Sequence, residues 1–190
     1  MAKEHQAAAW SDPAEKKKSK RHGLIIVNTG DGKGKTTAAL GTAVRAVGAG
    51  MKVCIVQFIK GSWDYGELHA AEKLGIEIHP MGKGFTWEPK KFGEDQKAAR
   101  AAWEMCKEKA LSGAYDLVVF DEINYVLDYG FISVEEVVDF LRKKDPKLHL
   151  ILTGRNAKEE IIEIADLVTE MREIKHPFQK GILAQKGIEY

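Results

Sequence analysis

Along the chain, short and nearly continuous apolar runs alternate with longer stretches in which small and apolar residues recur at helical spacing. The apolar runs are LIIVN (24 to 28), KVCIVQFI (52 to 59), IEIHP (76 to 80), YDLVVFDE (115 to 122), LHLILTG (148 to 154) and LVTEMREI (167 to 174). Their length and β-branched content predict strands. Helices are predicted from 35 to about 47, about 67 to 74, about 94 to 111, 134 to about 143 and about 157 to 165. Ser133 stands at the start of the fourth of these, with Glu136 three residues on, which is the spacing of a capping box. Strands that are apolar on both faces and joined by helices predict a mostly parallel sheet covered by helices on both sides, so the fold class is α/β.

Residues 1 to 22 are polar and charged, contain Pro13 and show no sustained period, so they are expected to form a flexible N-terminal arm. The α/β domain is expected to span 23 to 190, with an irregular end beyond His176 marked by Pro177, Gly181 and Gly187. A length of 190 residues supports one well-packed core and is short for two.

Composition narrows the function classes. No apolar stretch approaches bilayer length, and the N-terminus lacks the apolar segment and small-residue cleavage site of a secretory signal. The expectation is a cytoplasmic protein with no membrane partner. Cys54 and Cys106 form no CxxC pair, so they predict neither a disulfide framework nor a zinc knuckle and read as small buried apolar side chains. The net charge of +1 provides no global field to attract nucleic acid. KKKSKR (16 to 21) is the one dense basic run, and it reads as a solvated tail.

Chemistry concentrates at TGDGKGKTT (29 to 37), directly after the first apolar run. A phosphate-binding loop of standard spacing has a glycine five positions before its Gly-Lys-Thr ending. Here Gly34, Lys35 and Thr36 supply the ending, Thr29 occupies the first glycine's place, and Gly30 follows it. With a strand before and a helix after, the backbone N–H groups of Gly30, Asp31, Gly32, Lys33, Gly34, Lys35 and Thr36, continued by Thr37, are expected to face an anion. Lys35 would lie on phosphate oxygens, the Thr36 hydroxyl would face Mg²⁺, and Lys33 adds a second positive charge. LVVFDE delivers Asp121 and Glu122 at a strand end, as a Walker B strand delivers carboxylates beside such a loop. Arg155 follows a strand at the edge where open α/β sheets bind ligands. Arg45 lies further along the helix after the loop, with a surface salt bridge as the alternative to a nucleotide contact. In GKGFTWEP (82 to 89), Phe85 and Trp87 are presented by a loop, either to fill a small satellite core or to offer a flat apolar surface to a planar ligand.

Taken together, TGDGKGKTTAALGTAVRAVGAG, VQFIKG, GFTW, VVFDEINY, LTGR and the ending KHPFQKGILAQKGIEY resemble the P-loop type of ATP:corrinoid adenosyltransferase, over about 23 to 190. The resemblance implies a single P-loop NTPase-like, RecA-like domain. It would transfer the 5′-deoxyadenosyl group of ATP to Co(I) of a corrinoid and release triphosphate, in adenosylcobalamin biosynthesis or salvage. It further implies Thr36 and Glu122 as ligands of Mg²⁺ or Mn²⁺, Lys35 acting on the triphosphate, and Arg45 and Arg155 on the nucleotide. Phe85 and Trp87 would displace the lower axial ligand of the Co(II) corrinoid. A reduced flavoprotein as electron donor and a homodimer are implied as well. Residues 1 to 22 match the family's helical N-terminal segment poorly.

Two other readings fit parts of the pattern. A RecA-like P-loop ATPase or kinase would use Glu122 on water or a substrate hydroxyl and would yield ADP. A nucleotide-dependent module could contact nucleic acid through its basic arm, against which the near-neutral charge argues.

Overall fold

A computed structural model describes residues 22–61, 65–84 and 92–189. Six parallel strands form one sheet, Ile25–Thr29 (β1), Val53–Gln57 (β2), Glu77–Pro80 (β3), Leu117–Asp121 (β4), His149–Thr153 (β5) and Leu167–Glu170 (β6), in the order β3-β2-β4-β5-β1-β6. The helices are Lys35–Gly48 (α1), Gly66–Leu74 (α2), Phe92–Leu111 (α3), Ile123–Asp128 (α4), Val134–Lys143 (α5) and Glu159–Ile164 (α6). This is the α/β architecture expected from the sequence, a parallel sheet covered by helices on both faces.

Because successive strand residues point to opposite faces, each apolar strand feeds two cores. Val118, Phe120, Leu150 and Leu152 pack with α3, α4, α5 and α6, while Leu117, Val119 and Ile151 pack with α1 and α2. In the larger core the fully buried Trp103 meets Phe120 edge-on at 6.0 Å and Phe140 at 5.2 Å. Its indole Nε1 donates to Glu136 at 2.6 Å, and Arg100 donates to the other oxygen of that carboxylate at 2.6 Å. The cap on α5 is therefore one-sided. Ser133 accepts from the Glu136 N–H at 3.2 Å, but the Glu136 side chain turns to α3 and leaves the box unclosed.

Two differences from the sequence reading have local causes. Helix α4 was not expected, since six residues are too few to display a helical period, and it begins directly at the end of β4. Strand β6 ends at Glu170 instead of 174 and is exposed along its length, because it is an edge strand and the chain beyond it leaves the sheet to cross the loop after β1. His22, placed with the arm from sequence, meets Asp166 Oδ1 through its Nε2 at 2.9 Å.

The opposite edge is clamped by charge. Glu77 in β3 accepts from Lys109 at 2.8 Å and from the Tyr115 hydroxyl, and His79 Nε2 lies 2.6 Å from the same carboxylate. The bonds from Lys109 and Tyr115 hold the Glu77 carboxyl down at about 2. Cys54 lies beside Glu77 and His79, but the Lys109 ammonium already occupies the cation's place on that carboxylate. Both cysteines are buried, and burial pushes the Cys54 thiol up to about 12.

Candidate active site

All six strands run the same way, so their carboxyl ends open onto one edge of the sheet. There β1 ends at Thr29 and the chain turns through Gly30, with φ of 93°, and Gly34, with φ of 109°, into α1. The residues after β6 pass directly over this turn. Met171 N–H donates to Thr29 O at 2.8 Å, and Gly32 N–H donates to Met171 O at 2.7 Å. A Cβ on Gly30 would lie 2.5 Å from the Met171 carbonyl oxygen, and one on Gly32 would lie 2.8 Å from Arg172 backbone. The glycines thus serve both left-handed geometry and close chain crossing. No side chain caps α1, which leaves its first N–H groups and the positive end of its dipole for an anion.

The Lys35 ammonium donates to Gly30 O at 2.8 Å and Gly32 O at 2.6 Å, so it lies inside the curl of the loop. Burial, then the charge of Arg155, lowers its pKa. The Thr36 hydroxyl donates to Asp121 Oδ1 at 2.8 Å. Asp121 is wholly buried and also accepts from Thr153 Oγ1 at 2.8 Å and Gln57 Nε2 at 3.0 Å. With its proton committed to Asp121, the Thr36 oxygen retains its lone pairs for a cation.

Glu122 follows in a left-handed conformation, φ 68°, with its N–H donating to Thr153 Oγ1 at 2.8 Å. Its Oε2 is buried without a hydrogen-bond partner among the described residues. Burial, reinforced by the charge of Asp121 and opposed by Lys60 and Lys35, raises the Glu122 carboxyl to about 7. An orphaned buried carboxylate oxygen and a threonine hydroxyl lining the same cavity form a donor set that suits a hard divalent cation.

Lys35, Thr36 and Glu122 line a cavity of about 500 Å³ whose floor is the loop from Asp31 to Thr37. Lys60, Glu67, Tyr125 and Arg155 form walls, and His176, Gly187, Ile188 and Glu189 close one side. Arg155 donates to Asp31 O at 3.2 Å and lies 3.8 Å from its carboxylate.

The structure therefore brings Asp31, Gly32, Lys33, Gly34, Lys35, Thr36, Thr37, Glu122 and Arg155 together. Thr29 and Gly30 shape the turn beneath them, with the Thr29 hydroxyl accepting from Ala157 N–H at 3.2 Å. Arg45 is exposed in the last turn of α1 and does not line the cavity. Phe85 and Trp87 lie outside the described residues. Sequence reasoning assigned no role to Lys60, Glu67, Tyr125 or the tail. Lys60 had a signal, since it stands just past β2 at the carboxyl edge; the tail carried part of the family resemblance, but its approach to the loop is a long-range contact that no local pattern encodes.

The fold and the site define a P-loop nucleotide-binding α/β protein. Residues 21–190 match the family described as ATP:corrinoid adenosyltransferase BtuR/CobO/CobP, and the chain belongs to that family. A corrinoid adenosyltransferase of Sinorhizobium sp is 49% identical over 177 residues, covering 91% of this chain and 83% of the relative. Its counterpart in Escherichia coli strain K12 is 46% identical over 168 residues, covering 88% and 86%. Corrinoid adenosyltransferase CobA of Salmonella typhimurium is 45% identical over 168 residues with the same coverage. Among solved structures, the RadB recombinase superposes with a TM-score of 0.48 at 19% identity, covering 82% of this chain and 77% of that one.

Proposed function

We infer that this protein is an ATP:corrinoid adenosyltransferase. Co(I) of the corrinoid substrate attacks C5′ of ATP, the C5′–O bond breaks, and its electron pair leaves with triphosphate. The observation that carries this reading is the family match over residues 21–190, which includes every residue lining the phosphate cavity.

A cobalt nucleophile needs no general base, so the protein's task is to hold a leaving group of about −4 charge. Lys35, Lys33 and the N–H groups at the start of α1 are assigned to the triphosphate, and Arg155 to the nucleotide. The assignment of Arg45 to the nucleotide rests on resemblance alone. Thr36 and Glu122 would hold Mg²⁺ or Mn²⁺, supported by the orphaned Glu122 oxygen. Such a cation would offset charge on the leaving triphosphate. Asp121 keeps the Thr36 hydroxyl oriented for that role.

Phe85 and Trp87 are assigned to the corrinoid, where an apolar wedge would displace the lower axial ligand and make Co(II) easier to reduce. A reduced flavoprotein donor, a homodimer, a cytoplasmic location and an N-terminal arm over 1 to 22 complete the proposal. No helix among the described residues is long and apolar enough to cross a membrane.

Incubation with ATP, Mg²⁺ and chemically reduced cobalamin tests the reading. Conversion of the visible spectrum to that of an alkylated corrinoid, with release of inorganic triphosphate, is the expected result. ADP with an unchanged corrinoid spectrum would replace this reading with that of a P-loop ATPase or kinase.

A further inference from the structure

Cations on the cavity wall are matched by acids of the same chain. Lys60 pairs with Glu67, Arg155 faces Asp31 at 3.8 Å, and Lys33 of the loop pairs with Glu189 of the C-terminal tail. The three acids differ in how firmly they are held. Glu67 is anchored in the first turn of α2, and Asp31 belongs to the loop itself. Glu189 instead ends a stretch, 182 to 188, that is exposed throughout, and its N–H is held only locally, by Gln185 O at 2.9 Å. Gly187, with φ of 78°, adds a turn just before it. The Glu189 side chain is 13% exposed, but residues 182 to 188 are already in solvent, so moving the tail off Lys33 would expose little apolar surface from them.

A carboxylate on a loop ammonium makes the charge-assisted hydrogen bond that a phosphate oxygen would make there. Given the function proposed above, we propose that Glu189 competes with the triphosphate chain for Lys33, giving way when nucleotide binds and returning as triphosphate departs. Glu189 is thus a residue that sets polyphosphate exchange. It does not take part in bond making. The tail acid weakens the grip on a highly charged product that the loop would otherwise retain.

The test titrates inorganic triphosphate with Mg²⁺ into the full-length protein by calorimetry, comparing wild type, Glu189→Gln, Lys33→Met and the double variant. Glu189→Gln should bind triphosphate about two- to fivefold more tightly, as expected for removal of a partly exposed competing ion pair. Lys33→Met should weaken binding, and adding Glu189→Gln to it should change nothing further. Unchanged or weaker binding in Glu189→Gln overturns the proposal, as does an equal gain in both backgrounds, which would be a general charge effect. The readout does not depend on adenosyl transfer. A protein that fails to alkylate cobalamin but shows the Lys33-dependent gain would refute the proposed reaction and leave this competition standing.

Discussion

Thr36 and Asp121 meet over 2.8 Å, the first-turn hydroxyl of α1 donating to the carboxylate at the end of β4, although β5 lies between β4 and the strand β1 that leads into α1. This bond joins the phosphate loop to the acid strand. Asn at position 121 would offer one acceptor oxygen and an NH₂ group to three donors, Thr36, Thr153 and Gln57. Asp121→Asn should cost about 2 kcal/mol or more in urea denaturation and lower Mg²⁺–ATP affinity. Retention of both quantities would mean that the bond is incidental.

Glu122 yields a prediction in pH. Its folded carboxyl titrates at about 7, above the ordinary 4.5, so the native state holds this proton more tightly than the unfolded chain. Stability contributed by the protonated form is lost as pH rises between those values and is level above them. Between about pH 5 and 7.5 the wild type should lose on the order of 2 kcal/mol relative to Glu122→Gln. Using the difference between variants removes the contribution of His149, whose pKa burial and Lys144 lower and which acts in the opposite sense. A flat difference in urea midpoints across this range would contradict the assignment.

Gly30→Ala probes the chain crossing. The new Cβ would meet the Met171 carbonyl oxygen at 2.5 Å, in a backbone conformation with φ of 93°. Strain of about 1–3 kcal/mol should displace the loop and weaken ATP binding about tenfold or more while the protein remains folded. Titration of an ATP analogue alongside circular dichroism separates the two effects.

Trp87→Ala addresses the corrinoid half of the proposed reaction. ATP affinity should be nearly unchanged, and activity starting from Co(II) cobalamin with a reductant should fall about tenfold or more, ~1.4 kcal/mol in barrier. Activity from chemically prepared Co(I) should fall much less. Equal losses in the two assays would remove Trp87 from the reduction step.

Glu136→Ala supplies a contrast remote from the cavity. It deprives the buried Trp103 N–H of its acceptor and should cost about 1–3 kcal/mol of stability, with ATP affinity retained. Urea denaturation and nucleotide titration on one preparation check both.

What the sequence made legible follows the range of the interactions. The strand, loop and helix from Ile25 to Gly48 could be read because apolar run length, glycine spacing and helical period are all local signals. The acid strand was legible for the same reason. The partner of Lys33 lies 156 residues away and that of Thr36 lies 85 away, and no local pattern encodes such pairings. Helix α4 was missed because its six residues are too few to display a helical period. The capping-box spacing at Ser133 was read correctly as a helix start, yet the Glu136 carboxylate had a stronger use on Trp103 and Arg100.

The position of β1 between β5 and β6 has a consequence for assembly during synthesis. Ile25 must await Leu150, and Ile26 must await Leu167, before the first strand made has either neighbour. The early segment that carries the anion-gripping turn thus emerges from the ribosome long before anything can hold it in place. Such large sequence separations slow folding, and nucleotide capture becomes possible only once nearly the whole chain has been translated.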